Sequence, residues 1–179
     1  STVQDARDLL IASVLCPDPV IYIDDRWLYE QEDRIEPVSE KKIEDFGPKC
    51  IEKGKDITVI GNSYWTYLAK KLKVDLMQKE NINAEIIDLR SINPLKTDVI
   101  EKSIRKPKRL LIIDGGWKSC GIGAEIIASI FEKVPSNIFD SAPKRISLPN
   151  CPAPSSPIHE EIYYPDSNYI FSEALKIFK

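Results

Sequence analysis

Apolar residues recur along this chain in two patterns, short continuous runs and longer segments with helical spacing. Short runs bounded by turn residues predict buried strands, and apolar positions three or four residues apart predict helices. From residue 57 onward the predicted elements are strand 57–60, helix 64–77, strand 84–89, helix 98–104, strand 110–113, helix 124–131, strand 145–148 and helix 169–178. Strands that alternate with helices predict a parallel sheet with right-handed crossovers, and strand 145–148 is expected at its edge.

The first 54 residues follow a different pattern. Apolar spacing over Ala6 to Leu15 predicts a helix, and Val20 to Ile23 predicts a short strand after a proline-containing turn. Asp24 to Gly54 is rich in charge and predicts a surface linker. A four-residue strand without partners is not stable. We therefore expect it to be the last element of a preceding domain, and the chain to be truncated.

The segment Leu110 to Ile126, LLIIDGGWKSCGIGAEI, predicts a buried strand, a tight turn and a helix start. Its glycines fit two roles, close packing of backbone or a cradle for a nucleotide phosphate. The spacing of Gly116, Gly121 and Gly123 is not G-x-G-x-x-G, and no Lys-Ser/Thr pair follows. Packing is the favoured interpretation.

Composition narrows the class of protein. The 179 residues suit one domain with a modest appendage. Charged residues make up 30% of the chain, and the net charge is -3. Because positive and negative residues are interspersed, the sequence predicts no strong positive electrostatic field that would attract nucleic acid. No run approaches a membrane span and no signal peptide is present, so we expect the cytoplasm. The cysteines, expected to be reduced, form no C-x-x-C pair; they are Cys16, Cys50, Cys120 and Cys151.

Individual reactive residues have simple interpretations. His159, the single histidine, is followed by two glutamates, and a surface position is favoured over a general base. Asp114 ends a predicted strand, and a turn-forming acid is favoured over a ribose or metal ligand. Cys120 is interpreted as a small packed residue rather than an activated thiol. An aromatic cluster at an interface is predicted from Tyr64, Trp65, Tyr67 and Trp117.

Five segments carry a resemblance to a known family. They are DARDLLIASVLCPDPVIYIDDRWLYE, FGPKCIEKGKDITVI, AEIIDLRSINPLKTDVIEKSI, LLIIDGGWKSCGIGAEIIASI and DSAPKRISLPNCPAP. In this order they resemble the C-terminal half of the β subunit of thiamine-diphosphate-dependent 2-oxo acid dehydrogenases, of the pyruvate and branched-chain type. The resemblance implies a three-layer αβα fold with a mostly parallel five-stranded sheet, the transketolase C-terminal domain, over residues 41–179. Residues 1–40 would be the end of the pyrimidine-binding domain and the start of a linker.

The resemblance also implies a function. The chain would be an assembly and dimerisation domain, inactive alone, of an enzyme that decarboxylates a 2-oxo acid and transfers the acyl group to lipoamide. Thiamine diphosphate and magnesium would bind to the parent enzyme, and no catalytic or cofactor residue falls in this chain. Partners would be a second β subunit, an α subunit and the acyltransferase core. The alternatives are another thiamine enzyme, such as a transketolase or deoxyxylulose phosphate synthase, and a self-standing nucleotide-binding protein.

Two sites follow from the resemblance. Family members hold a potassium ion by main-chain oxygens at the end of a helix, and the matching positions are Ser13, Cys16 and Asp18. Carbonyl oxygens suit such a hard cation and need no particular side chain. The subunit-binding domain of the acyltransferase would contact Asp140, displaced by one residue from the family position, and Lys179 at the terminus.

Overall fold

The computed structural model describes residues 1–135 and 137–179. The strands are β1 (Lys49–Glu52), β2 (Ile57–Gly61), β3 (Ala84–Asp88), β4 (Leu110–Trp117) and β5 (Lys144–Leu148). The helices are α1 (Val3–Leu15), α2 (Ser63–Glu80), α3 (Asp98–Ile104), α4 (Ile122–Phe131), α5 (Pro157–Tyr163) and α6 (Ser167–Leu175). The sheet order is β1-β3-β2-β4-β5, and β2 pairs in parallel with both β3 and β4.

Helices cover both faces of the sheet. Leu111 and Ile113 of β4 belong to the core formed with α2 and α6, whereas Ile112 belongs to the core formed with α3 and α4. Strands buried on both faces read as continuous apolar runs because every side chain is covered. The structure therefore confirms the predicted three-layer α/β fold, with β4 as an interior strand and β5 at an edge.

The fifth strand lies in the segment interpreted as a linker. β1 pairs antiparallel with β3, with Lys49 opposite Asp88 and Cys50 opposite Ile87. The linker prediction for 24–54 is therefore wrong over its last residues. An edge strand that is covered on one side needs few apolar residues, so β1 carries only a weak strand pattern.

The strand predicted at Val20–Ile23 is wrong for this chain. These residues form no strand, and the side chains of Ile21 and Ile23 are 89% and 76% exposed. Their apolar character satisfied the strand pattern. An extended segment without a neighbour, however, has no partner for its backbone hydrogen bonds.

One strand is longer than predicted, and one helix was not predicted. β4 continues through Gly115 and Gly116 to Trp117, so the glycine pair belongs to the strand rather than to a tight turn. Helix α5 lies in the proline-rich segment, where Pro157 opens it. Proline is favourable at the first helical position because its fixed φ suits the helix. The N–H group that proline lacks has no acceptor within the helix at that position, so no hydrogen bond is lost.

Candidate interaction surfaces

Helix α1 buries acids against the rest of the chain. Asp5 and Asp8 are only 5% and 4% exposed. The guanidinium of Arg90 donates to Asp5 Oδ1 over 3.1 Å and to the carbonyl oxygen of Gly47 over 2.8 Å. Arg90 follows β3 and has a φ of 56°, in the left-handed region. The turn after β3 therefore aims a cation at the first helix.

Asp8 accepts from three donors. Lys41 Nζ lies 2.9 Å away, Arg7 Nη2 2.7 Å and Gln4 Nε2 2.7 Å. These donors, Lys41 first, hold the pKa of the Asp8 carboxyl well below its ordinary value although burial opposes them. Charged donors stabilise the carboxylate form. The acids fix α1 to the segment that enters β1.

The opposite side of α1 is apolar and exposed. Leu10 and Val14 lie on that side and are 49% and 75% exposed, and Leu15, the last residue of the helix, is 66% exposed. A surface helix of a folded domain ordinarily shows the reverse, with apolar residues inside. The apolar spacing over Ala6 to Leu15 predicted the helix, and it did not predict which side is buried. The signal for the true buried face was the spacing of Asp5, Asp8 and Ala12, which places all three on one side of a helix.

The residues matched to the potassium site lie at the end of α1. Ser13 donates its hydroxyl to the carbonyl oxygen of Leu9 over 2.7 Å, Cys16 is the C-terminal cap, and Asp18 is exposed two residues later. In the described part of the chain no three His, Cys, Asp or Glu side chains are grouped for a metal. A site made of main-chain oxygens stays a prediction.

An aromatic cluster joins the segment after α1 to helix α2. The ring centroid of Trp27 lies 4.7 Å from that of Tyr64 and 5.0 Å from that of Tyr164. Tyr67 stacks on Tyr64 at 5.7 Å. The rings of Trp27, Tyr64 and Tyr164 border a groove of about 560 Å³. The predicted cluster therefore forms within the chain, between the N-terminal segment and the C-terminal domain.

The two tryptophans of the prediction have different places. Trp65 is 6% exposed, and a Cβ atom added at Gly115 would overlap its indole nitrogen. Trp117 is 50% exposed at the end of β4. Trp65 therefore packs against Gly115 beyond the carboxyl ends of β2 and β4, where sheets of this class usually bind ligands, and both residues line a groove of about 300 Å³. Gly115 is required by this close approach.

The glycine loop is closed by its own acid. Asp114 is 3% exposed, and its two carboxylate oxygens accept from the amides of Gly116 and Gly123 over 2.8 Å and 3.1 Å. A carboxylate thus sits where a phosphate would meet the start of α4, and Asp114 bonds backbone amides as predicted. A Cβ at Gly123 would lie 3.2 Å from Arg145 Cδ. Cys120 is exposed with a φ of 58°, so the prediction that it is packed is wrong.

Asp140 and the end of the chain meet at the amino edge of the parallel strands. Asp140 Oδ2 lies 3.7 Å from Arg109 Nη1, and the guanidinium carbon of Arg109 lies 5.0 Å from the ring centroid of Phe178. Lys179 follows Phe178 and is exposed. Arg109 therefore lies between Asp140 and Phe178, the residue before Lys179. Their role in binding stays a prediction.

The remaining candidates are at the surface. His159 is exposed on α5, beside Glu160 and Glu161, and no hydrogen bond joins its ring to a described residue. This agrees with the interpretation of a surface histidine. No helix in the described ranges has both the length and the apolar character to cross a bilayer.

These features define a class of protein: an α/β domain with a mixed five-stranded sheet, a glycine loop closed by Asp114 and a charged N-terminal attachment. The chain belongs to the transketolase C-terminal domain family, whose model matches residues 49–170. It is 30% identical over 166 residues to the pyruvate dehydrogenase E1 component subunit beta of Saccharomyces cerevisiae, covering 92% of this chain and 45% of that protein.

Other relatives agree. The subunit beta of the acetoin:2,6-dichlorophenolindophenol oxidoreductase of Bacillus subtilis is 31% identical over 177 residues, which is 99% of this chain and 51% of that protein. A solved structure, described as a split gene transketolase, inactive beta4 tetramer, has a TM-score of 0.62 at 18% identity over 73% of this chain and 41% of that one. The chain spans about half the length of the curated relatives it matches. The resemblance to the C-terminal half of such β subunits is confirmed.

Proposed function

We propose that this chain is the C-terminal assembly and dimerisation domain of the β subunit of a 2-oxo acid dehydrogenase, inactive by itself. The parent enzyme would decarboxylate a 2-oxo acid with thiamine diphosphate and magnesium and pass the acyl group to lipoamide. The partners would be an α subunit, a second β subunit and the acyltransferase core, in the cytoplasm. Potassium would bind at the end of α1.

One observation carries this proposal, the inverted burial of α1. Its acids face the C-terminal domain, and its apolar residues Leu10, Val14 and Leu15 face outward. Exposed apolar side chains of this extent mark a surface that another structure covers. The relatives align through this segment as well as through the family domain, since 99% of this chain matches the Bacillus subtilis protein. A neighbouring domain of the parent would cover this face.

The chain itself offers thiamine diphosphate no diphosphate site in the glycine loop, because Asp114 already engages its amides. We therefore assign cofactor binding and catalysis to the domains that precede this one in the parent. The 179-residue chain should give no binding heat when thiamine diphosphate and magnesium are titrated into it. Micromolar binding would contradict the proposed inactivity.

The covering domain can be supplied in trans. The pyrimidine-binding half of a β subunit, produced separately, should form a complex with this chain in size-exclusion chromatography with light scattering. Val14→Asp should abolish that complex, because it places a charge in an apolar contact. The matched control is Val74→Asp, which changes an exposed valine (53%) on α2 and should leave the complex intact. No complex with the unmodified chain, or equal effects of both variants, would contradict the proposal.

A further inference from the structure

Two exposed cysteines lie in neighbouring loops at the carboxyl edge of the sheet. Cys120 lies between β4 and α4, and Cys151 lies between β5 and α5. Both are exposed and free. Because β4 and β5 are neighbouring parallel strands, their carboxyl ends meet at the same edge. The two loops therefore leave the sheet side by side.

Contacts between the two chain segments continue beyond the sheet. Trp117 pairs with Leu148, and the amide of Lys118 donates to the carbonyl oxygen of Leu148 over 3.1 Å. Two further hydrogen bonds join Ser119 to Asn150. The amide of Ser119 donates to Asn150 Oδ1 over 3.1 Å, and Asn150 Nδ2 donates to Ser119 Oγ over 2.8 Å. The loops are thus tied together up to these two residues.

The cysteines are the next residue in each loop. Cys120 follows Ser119 and Cys151 follows Asn150, so the two cysteines continue the register of the hydrogen-bonded pair. Neighbouring strands are about 5 Å apart, and the Cα atoms of disulfide-bonded cysteines are about 4.4–6.8 Å apart. A disulfide between Cys120 and Cys151 fits this register.

The backbone of each cysteine is held in place. The carbonyl oxygen of Cys151 accepts from the hydroxyl of Tyr163, a buried residue of α5, over 2.9 Å. The amide of Cys151 donates to the carbonyl oxygen of Pro149 over 2.8 Å. Cys120 has a φ of 58° and directly precedes Gly121, the N-terminal cap of α4. Fixed positions raise the effective concentration of one thiol at the other.

The other two cysteines are less suited to disulfide exchange. Cys50 Sγ donates to Glu85 Oε2 over 3.2 Å, and burial, together with this hydrogen bond, raises the pKa of the Cys50 thiol to about 11. Because the thiolate is the nucleophile, Cys50 reacts slowly at neutral pH. Cys16 is partly buried at the end of α1. Cys120 and Cys151 are therefore the more accessible pair.

We propose that Cys120 and Cys151 form a dithiol site that exchanges with small disulfides, represented here by oxidised glutathione. The thiolate of one cysteine attacks a sulfur of oxidised glutathione, so that a mixed disulfide forms and one glutathione leaves as a thiolate. The second cysteine loses its proton to water and attacks the protein sulfur of the mixed disulfide, which releases the other glutathione. Both released thiolates take up protons. The two cysteines are thereby oxidised to a disulfide, and oxidised glutathione is reduced to two thiols.

The product links the start of α4 to the segment that leads into α5. Excess reduced glutathione reverses the reaction, so the site suits a reducing compartment, where disulfides are transient. The inference does not depend on the proposed function, because no partner subunit or thiamine cofactor takes part in the exchange.

Redox titration of the unmodified 179-residue protein is the first test. The protein is equilibrated with mixtures of oxidised and reduced glutathione, quenched with acid, and analysed by thiol counting and peptide mapping. It should lose two of its four thiols and remain a single chain without bound glutathione, and the linked peptides should contain Cys120 and Cys151. A stable glutathione adduct, a link between two chains, a link to another cysteine or four remaining thiols would overturn the inference.

The folded structure should favour the link. Its equilibrium constant with glutathione should be at least about tenfold larger in buffer than in denaturing urea, because only the folded chain holds the two thiols in neighbouring loops. An equal or smaller constant in the folded protein would show that the fold does not bring the thiols together.

Cysteine variants locate the site. Cys120→Ser and Cys151→Ser should each prevent the link, and circular dichroism melts establish that both fold, as expected for exposed positions. The matched control, Cys16→Ser with Cys50→Ser, should form the link with an equilibrium constant within about twofold of that of the unmodified chain. Loss of the link in the control would overturn the assignment.

Asn150 tests the contact between the loops. Asn150→Ala removes both hydrogen bonds to Ser119 and should lower the equilibrium constant at least about threefold, because the loops then move more freely. Asn168→Ala, at an exposed position of α6, is the control and should have no effect. Equal constants for the two variants would show that this contact does not position the thiols, and would overturn the inference.

Discussion

The two parts of this chain are held together by different physics. In residues 49–179 the sheet is covered on both faces, and β4 contributes Leu111 and Ile112 at 0% and 1% exposure to opposite cores. Residues 1–48 are attached by buried acids, by the buried ring of Phe46 and by one tryptophan. Apolar burial stabilises without direction, whereas ion pairs and ring contacts fix position at small net energy. Apolar burial therefore accounts for most of the stability of residues 49–179, whereas specific polar and aromatic contacts fix the position of residues 1–48.

The largest loss of stability is expected from a substitution in the core of residues 49–179. Ile112→Ala removes a side chain buried between β4 and the helices α3 and α4, and we expect a loss of about 3 kcal/mol of unfolding free energy in denaturant titration. Val74→Ala, on the exposed side of α2, should change stability by less than about 0.5 kcal/mol. Similar losses at both positions would mean that the sheet is not covered as described.

Gly123 tests close packing against ligand binding. A side chain there meets Arg145 Cδ at 3.2 Å and Ile112 Cγ2 at 3.4 Å, so Gly123→Val should cost about 2 kcal/mol by overpacking. Millimolar mono- or dinucleotides should leave the melting temperature of the unmodified chain unchanged. A dose-dependent rise that is lost in a folded Gly123→Val protein would instead establish a phosphate site.

Asp5 tests the charged attachment. Asp5→Ala leaves the Arg90 guanidinium, whose side chain is 12% exposed, without its carboxylate, which should cost about 2 kcal/mol. Because α1 can separate while the sheet stays folded, the loss should appear as faster hydrogen exchange of α1 amides, by roughly 30-fold. Asp18→Ala, an exposed acid beyond the helix, is the control. Unchanged α1 exchange would show that the ion pair does not hold this helix.

Acid should weaken the same attachment. The folded pKa of Asp8 lies below its ordinary value of 3.8, so its contribution is fully present above about pH 4 and is lost as the pH falls toward the folded pKa. Exchange protection of α1 should therefore be constant from pH 7 to about 5 and should decline below about 4. Asp8→Asn should be less protected throughout, with a flatter acid profile. A decline that begins near pH 6 would assign the pH dependence to another group.

The smallest effect is expected at Trp27. Its contacts with Tyr64 and Tyr164 are half exposed, and aromatic pairs contribute about 1 kcal/mol beyond their buried area. Trp27→Ala should increase proteolysis of the N-terminal segment several-fold without moving the global denaturation midpoint. Tyr29→Ala, 62% exposed and outside this cluster, should have no such effect.

The sequence predicted the first part better than the second. Continuous apolar runs such as 110–113 identify interior strands, because burial on both faces favours an apolar residue at successive positions. Strand β1 was not predicted from the sequence, because an edge strand that pairs along one side can form with few apolar residues. On α1, the apolar spacing predicted the helix, but its buried side carries Asp5 and Asp8. Periodicity reports which residues favour burial, and it cannot report a partner cation such as Arg90, 85 positions from Asp5.

The sequence also predicted the interaction sites only in part, because their contacts are made between distant segments. Family resemblance placed Asp140 and Lys179 as partner contacts, and the structure shows that Arg109 links Asp140 to Phe178, the neighbour of Lys179. The aromatic cluster was anticipated from Tyr64 and Tyr67, but not its completion by Trp27, since that contact depends on the path of an irregular segment. Long-range contacts made by loops leave no periodic signal.

The two edge strands, β1 and β5, have a further consequence for how the sheet can grow. β1 is four residues long and has an irregular register between Cys50 and Glu52, and β5 at the other edge carries Lys144 and Arg145. Short, bulged and basic edge strands resist the addition of a further strand from another chain. The interior apolar runs are those with the greatest tendency to form amyloid-like stacks, and they are enclosed between two such edges. Fibril growth from the folded protein would therefore first require that β1 or β5 detach.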